Sequence, residues 1–172
     1  MKNTVKKLGV LFMAVSIFSA CTNDDTPVVP SSSFALNAND FRGKITDGDV
    51  TLDPNVIYKL TGSLTIEDGA KLIIPAGTVI EGTVGTSYIA VAQGGKIYVN
   101  GTAQKPVVMT SGAAVKAPGQ WGGLVICGKA PINKGVTASA EVSELTYGGT
   151  NSADNSGSIS YLRIEYSGYA YN

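Results

Sequence analysis

The sequence predicts an all-β chain: a right-handed, single-stranded parallel β-helix, truncated at its C-terminal end and preceded by a leader and a flexible tether. Three observations predict it. From Gly43 onward the chain is short β-rich runs punctuated by Gly, Pro, Asn and Asp. No segment carries a 3.6-residue apolar period longer than two turns. Several runs repeat at a fixed offset, and periods of 20–50 residues are the signature of stacked arrays. The expected divisions are 1–20 (leader), 21–42 (tether and N-terminal cap) and 43–172 (coils).

Lys2, Lys6 and Lys7 precede a nearly unbroken apolar run from Leu8 to Ala20. Thirteen residues fall short of the roughly 20 a membrane-spanning helix needs, and fit the apolar part of a secretory signal. The run ends Phe18-Ser19-Ala20-Cys21, which resembles a bacterial lipobox with Phe in place of the usual first Leu. Cys21 is therefore the candidate lipidation site and the expected new N-terminus. Removing residues 1–20 takes three Lys and no acid from 13 basic and 13 acidic groups, leaving net −3. Anionic lipid would not attract such a chain, so its hold on a membrane is expected to be acyl chains. The acidic stretch Thr22-Asn23-Asp24-Asp25 resembles a surface-export signal of Bacteroidetes lipoproteins. The expected location is the outer membrane, lipid-anchored and facing the cell surface, with the periplasmic face as the other reading.

Pro27, Pro30 and Ser31–Ser33 read as tether. Phe34, Leu36 and Phe41 are the candidates to cover the first coil. The strand runs are Val56–Leu60, Leu64–Ile66, Lys71–Ile74, Thr78–Ile80, Tyr88–Ala92, Lys96–Val99, Pro106–Thr110, Leu124–Cys127 and Ile159–Tyr166. Leu64–Leu72 aligns with Ile89–Ile97 at an offset of 25, and Gly77 with Gly101 at 24. A looser copy sets Gly128-Lys129 33 residues beyond Gly95-Lys96, with an insertion at Ser111–Gly119. In a parallel solenoid such copies stack about 4.8 Å apart, like over like. Leu64 and Ile66 then lie over Ile89 and Val91, glycines turn the corners, and the Lys after each Gly points outward. A β-sandwich accounts for Asp47-Gly48, Asp68-Gly69 and Asn100-Gly101 as hairpin turns but not for the 25-residue register.

Three segments are similar to one known group: Leu72–Ile80, Gly95–Ser111 and Trp121–Asn133. They resemble the exported β-helix lipoproteins of Bacteroidetes, whose pectin-lyase-like solenoid the resemblance extends over about residues 43–170. It implies fold and address rather than an activity. Members of that group run longer, which marks this chain as an N-terminal portion; the other expectation is an open end closed by self-association.

The residues that carry chemistry are few. With no His there is no Ser-His-Asp triad, Cys-His dyad or histidine metal site. Zero net charge gives no footprint for nucleic acid. Cys127, in Leu124–Cys127, reads as a small buried hydrophobe. Glu67-Asp68, Glu81 and the pair Arg163/Glu165 are sparse acids, and the last two face one side as a surface ion pair. Asp47-Gly48-Asp49 with Asp53 lacks the pattern of a calcium loop and reads as a polar turn. No metal site and no cofactor are expected.

Five of the eight tyrosines lie in the last 26 residues. Tyr147, Tyr161, Tyr166 and Tyr169 are the candidates for stacking on sugar rings; an aromatic ladder or core packing is the competing reading. The leading expectation is a non-enzymatic, surface-anchored binding, adhesion or scaffold module whose partners are the membrane and glycans or surface proteins. The alternatives are the N-terminal part of a polysaccharide lyase or hydrolase, and a self-assembling surface component. Oligomeric state stays open.

Overall fold

Every second residue of the central strands is a branched aliphatic side chain, and in extended backbone these positions share one face. In the computed structural model, which describes residues 31–141 and 144–171, they turn into a common core. The leader, Cys21 and most of the expected tether lie outside the described residues.

The chain winds in coils of three strands. The first holds β1 (Gly43–Ile45), β2 (Asp49–Thr51) and β3 (Ile57–Leu60). The second holds β4 (Ser63–Ile66), β5 (Lys71–Pro75) and β6 (Val79–Gly82). The third holds β7 (Tyr88–Val91), β8 (Lys96–Asn100) and β9 (Val107–Ser111). The fourth opens with β10 (Gly123–Ile126), leaves for a two-strand arm, β11 (Ala138–Ser139) and β12 (Thr146–Tyr147), and closes with β13 (Gly157–Ser160) and β14 (Leu162–Ile164). Stacking yields three parallel four-stranded sheets, ordered β1-β4-β7-β10, β2-β5-β8-β13 and β3-β6-β9-β14. Only the arm is antiparallel among the named strands. This is a parallel β-helix.

The 25-residue register is present residue for residue: Leu64 pairs with Ile89, Ile66 with Val91, Lys71 with Lys96 and Leu72 with Ile97. All six apolar members of these pairs are fully buried. The offset widens to 29 at Val79↔Val108, because the corner after Asn100 is longer than the corner after Pro75. Gly77 turns its corner at φ +85°, as expected of a glycine there. Gly101 does not have positive φ; it is needed for close approach, since a Cβ would come within 2.4 Å of the Tyr161 carbonyl oxygen.

Two expectations are corrected. Gly128-Lys129 is not the fourth-coil copy of Gly95-Lys96. The register runs from 35 residues at Val91↔Ile126 to 60 at Ile97↔Gly157, so 25 extra residues leave the coil there as the arm. Gly128 opens the arm, and the corner is completed at Ser156-Gly157. The run Ile159–Tyr166 is two strands rather than one, broken at Tyr161 by a left-handed φ of 47°.

The N-terminal end is closed by aromatics. Phe41 is fully buried, tilted against Tyr58 at 5.2 Å between ring centroids, and Phe34 meets Phe41 edge-on at 6.4 Å. Leu36, expected to share this role, is 42% exposed. Ser31 bridges to Asp49 in parallel, and Asp47 accepts hydrogen bonds from the Ser33 N–H and the Ser32 hydroxyl. These bonds, the Ser33 N–H foremost, hold the Asp47 carboxyl below its ordinary value of 3.8. A lowered folded-state pKa means the attachment is complete above about pH 4 and is lost as pH falls through the folded value. On acidification the Ser33 amide is therefore expected to exchange with deuterium at a pH where core amides such as Ile74 are still protected. Simultaneous loss of both would contradict this.

Candidate functional site

Side chains pointing away from the core form rows across the sheets. On the second sheet the register builds three: Asp49–Lys71–Lys96, Thr51–Ile73–Tyr98–Ser158 and Pro75–Asn100–Ser160. Tyr98 sits at the centre, two residues from Lys96 on the same face. The rung beyond it carries only small, exposed Ser158 and Ser160, so nothing tall flanks the ring on that side. Lys71 donates to both Asp49 oxygens, at 2.9 and 3.1 Å. That hydrogen bond raises the Lys71 ammonium above the ordinary lysine value, and Tyr98 adds a smaller charge contribution. Lys96, stacked on Lys71, has no ion-pair partner among the described residues. The result is a flat platform of one aromatic ring with two cations on one side and hydroxyls on the other.

The platform runs toward a corner cleft of about 430 Å³, lined among others by Pro54, Asn55, Gln104, Lys105 and Pro106. The extended corner of the third coil leans over the second there, with the Gly77 N–H donating to the Lys105 carbonyl at 3.1 Å.

The four expected stacking tyrosines are dispersed. Tyr147 lies on β12 of the arm. Tyr161 and Tyr166 stand at successive corners of the fourth coil, 61% and 37% exposed, both in left-handed backbone. Tyr169 alone joins a ring cluster: it meets Tyr171 at 5.4 Å, and Tyr171 meets Tyr88 at 6.3 Å. Burial and the neighbouring Tyr88 and Tyr169 raise the Tyr171 hydroxyl above its ordinary pKa. Tyr98 and Tyr88 were missed because the sequence reading followed the C-terminal concentration of tyrosines. The signal for Tyr98 was present in its two-residue spacing from Lys96 and its 25-residue spacing from Ile73.

The acids are engaged by neighbours. Glu67 pairs with Lys44 at 2.7 Å, Glu81 with Lys59, and Glu165 with Arg163. Asp53 accepts from the Asn55 N–H and side-chain amide, both at 2.9 Å. Among the described residues no three of His, Cys, Asp and Glu gather as a metal centre. Cys127 is 1% exposed, and burial raises its thiol pKa, which disfavours the reactive thiolate.

Fold and surface define the class: a β-solenoid with a rigid apolar core and a flat outward face of mixed aromatic, cationic and hydroxyl groups. A sequence profile for the pectate-lyase like beta helix domain matches residues 43–172, and the chain belongs to that family. Neither a curated protein nor a solved structure matches it.

Proposed function

We propose that this is a lipid-anchored cell-envelope protein, of the exported Bacteroidetes lipoprotein kind, serving as a non-enzymatic binding module for surface glycans. The observation that carries the reading is the Tyr98 platform. An outward ring on a rigid sheet offers contact area at little entropic cost, and Lys96 and the serine row supply donors around it. The pairing of Glu67, Glu81 and Glu165 with cations favours binding over general acid–base chemistry at those carboxylates. Cys21 is the proposed anchor, at the end of the apolar leader.

The test is affinity electrophoresis against a panel of cell-surface polysaccharides. Retardation by at least one glycan is expected, with a loss of about tenfold in affinity for Tyr98→Ala, about 1.4 kcal/mol. Binding unchanged by Tyr98→Ala would remove the platform from the reading. Polysaccharide cleavage abolished by one acidic substitution would replace it with an enzyme. Separately, Cys21→Ala is expected to move the protein out of the membrane fraction, and full retention there would sink the anchor.

A further inference from the structure

A second cleft, of about 640 Å³, lies between the N-terminal segment and the turn joining the first two coils. Asn37, Asp40 and Arg42 line one side, Gly62 and Ser63 the other. It shares no lining residue with the platform.

Arg42 is held in a particular way. Its Nε lies 2.9 Å from Asp40 Oδ1 in an ion pair. Asp40 is fixed in turn, because the same oxygen accepts from the Thr61 hydroxyl. The Arg42 stem runs over Gly62, where even a Cβ would approach its Cδ to 3.3 Å. One edge of the guanidinium is thus tied down, while the Nη groups have no partner among the described residues. A planar guanidinium presented in this way matches two oxygens of an oxyanion at once.

The remaining groups are also donors. Asn37 uses its side-chain oxygen to accept the Asn39 N–H at 3.0 Å, leaving the amide NH₂ without a described partner. The Ser63 hydroxyl likewise has none. Asp40 is the sole acid in the lining, and Arg42 already neutralises it. A cleft with three donor groups and one compensated acid is matched to a ligand that only accepts. A tetrahedral anion has enough oxygens for all three donors, where a carboxylate has two.

We propose that this cleft is a phosphate-binding site, in which the Nη edge of Arg42 takes two phosphate oxygens and Asn37 and Ser63 donate to the others. The shared chemistry admits two sources, a soluble phosphomonoester or the phosphomonoester headgroup of phosphatidic acid.

The experiment is an NMR titration of residues 31–172 within the full chain, with inorganic phosphate as the probe. Saturable shifts are expected at the Arg42 side-chain N–H and the Asn37 amide. Arg42→Lys keeps the charge and loses the fork, so affinity is expected to fall about tenfold. Arg42 is exposed, which leaves folding undisturbed; Asn37→Ala, also at an exposed position, serves as a second variant and is expected to weaken binding as well. Tyr98→Ala is expected to leave phosphate binding unchanged, so that failure of the glycan reading and failure of this one are separable. Phosphatidic acid vesicles that displace phosphate from the wild type would identify a headgroup as the source; vesicles that do not would leave the soluble phosphomonoester. Absence of shifts at Arg42 at millimolar phosphate would overturn the site, as would equal binding by Arg42→Lys, which would reduce it to diffuse charge.

Discussion

Gly157→Ala is expected to lower stability by about 4 kcal/mol or more and to strip the fourth coil from the third. Gly157 occupies the inward row Val50–Leu72–Ile97–Gly157, directly on Ile97. A Cβ there would lie 1.8 Å from the Ile97 carbonyl oxygen and 2.7 Å from its carbon. Both are backbone atoms held in the ladder, and neither can rotate away. The φ of +119° adds strain for any L side chain. Relief requires β13 to lift off β8, breaking hydrogen bonds such as Ile97 N–H to the Ser156 carbonyl at 2.9 Å. Urea unfolding would register the loss as a lower midpoint, and hydrogen exchange would show Ile97 opening before Leu72. A midpoint equal to that of the wild type would contradict the packing described.

The second large effect is expected at Trp121. Its ring is fully buried, and Nε1–H donates to the Glu165 carbonyl at 2.8 Å. It rests on Gly82, where a Cβ would be 2.9 Å from Cδ2, so the rung below is hollowed to receive it. Trp121→Ala leaves a ring-sized cavity between coils, and is expected to cost about 3–5 kcal/mol. Trp121→Phe keeps most of the apolar contact but leaves the Glu165 carbonyl without its donor, for about 1–3 kcal/mol. The chain has a single Trp, so circular dichroism rather than fluorescence is the probe. Equal losses for the two variants would mean that the hydrogen bond, not the ring, holds the coils together.

The middle of the solenoid was legible because consecutive coils repeat with nearly equal length there. Leu64/Ile66 and Ile89/Val91 are the same two inward positions, and a fixed spacing exposes them. Where coil length changes, legibility ended. β1 and β2 are three residues each and bury one side chain apiece, too little for alternation to appear. The fourth-coil corner was misplaced because Gly-Lys is a short motif that the base of the arm also uses. Gly128 is required there for another reason: a Cβ would meet the Asp154 carboxylate at 2.7 Å, which itself accepts the Lys129 N–H. Distance along the chain also hid what holds the arm, since the Gln93 amide donates to the Gly128 and Gly148 carbonyls, 35 and 55 residues away. The platform was half legible. Lys96 is legible as outward from the Gly before it, but a surface spread over four coils becomes visible only once the register is known. The phosphate cleft gave no sequence signal, because Asp40, Arg42 and Ser63 meet through a turn rather than a motif.

The aromatic closure of Phe34, Phe41 and Tyr58 gives the molecule a direction in time as well as in space. These three rings lie within a single stretch of chain and can assemble from local sequence alone, before later coils have paired. The completed first coil then offers a ready edge to β4, the second to β7, and the third to β10. Each new strand pairs with one already in place, about 20–35 residues behind it in these pairings, so the entropy of loop closure stays modest at every step. Growth from the opposite end has no such closed seed among the described residues, so the fold is laid down like masonry, course upon course from a sealed foundation.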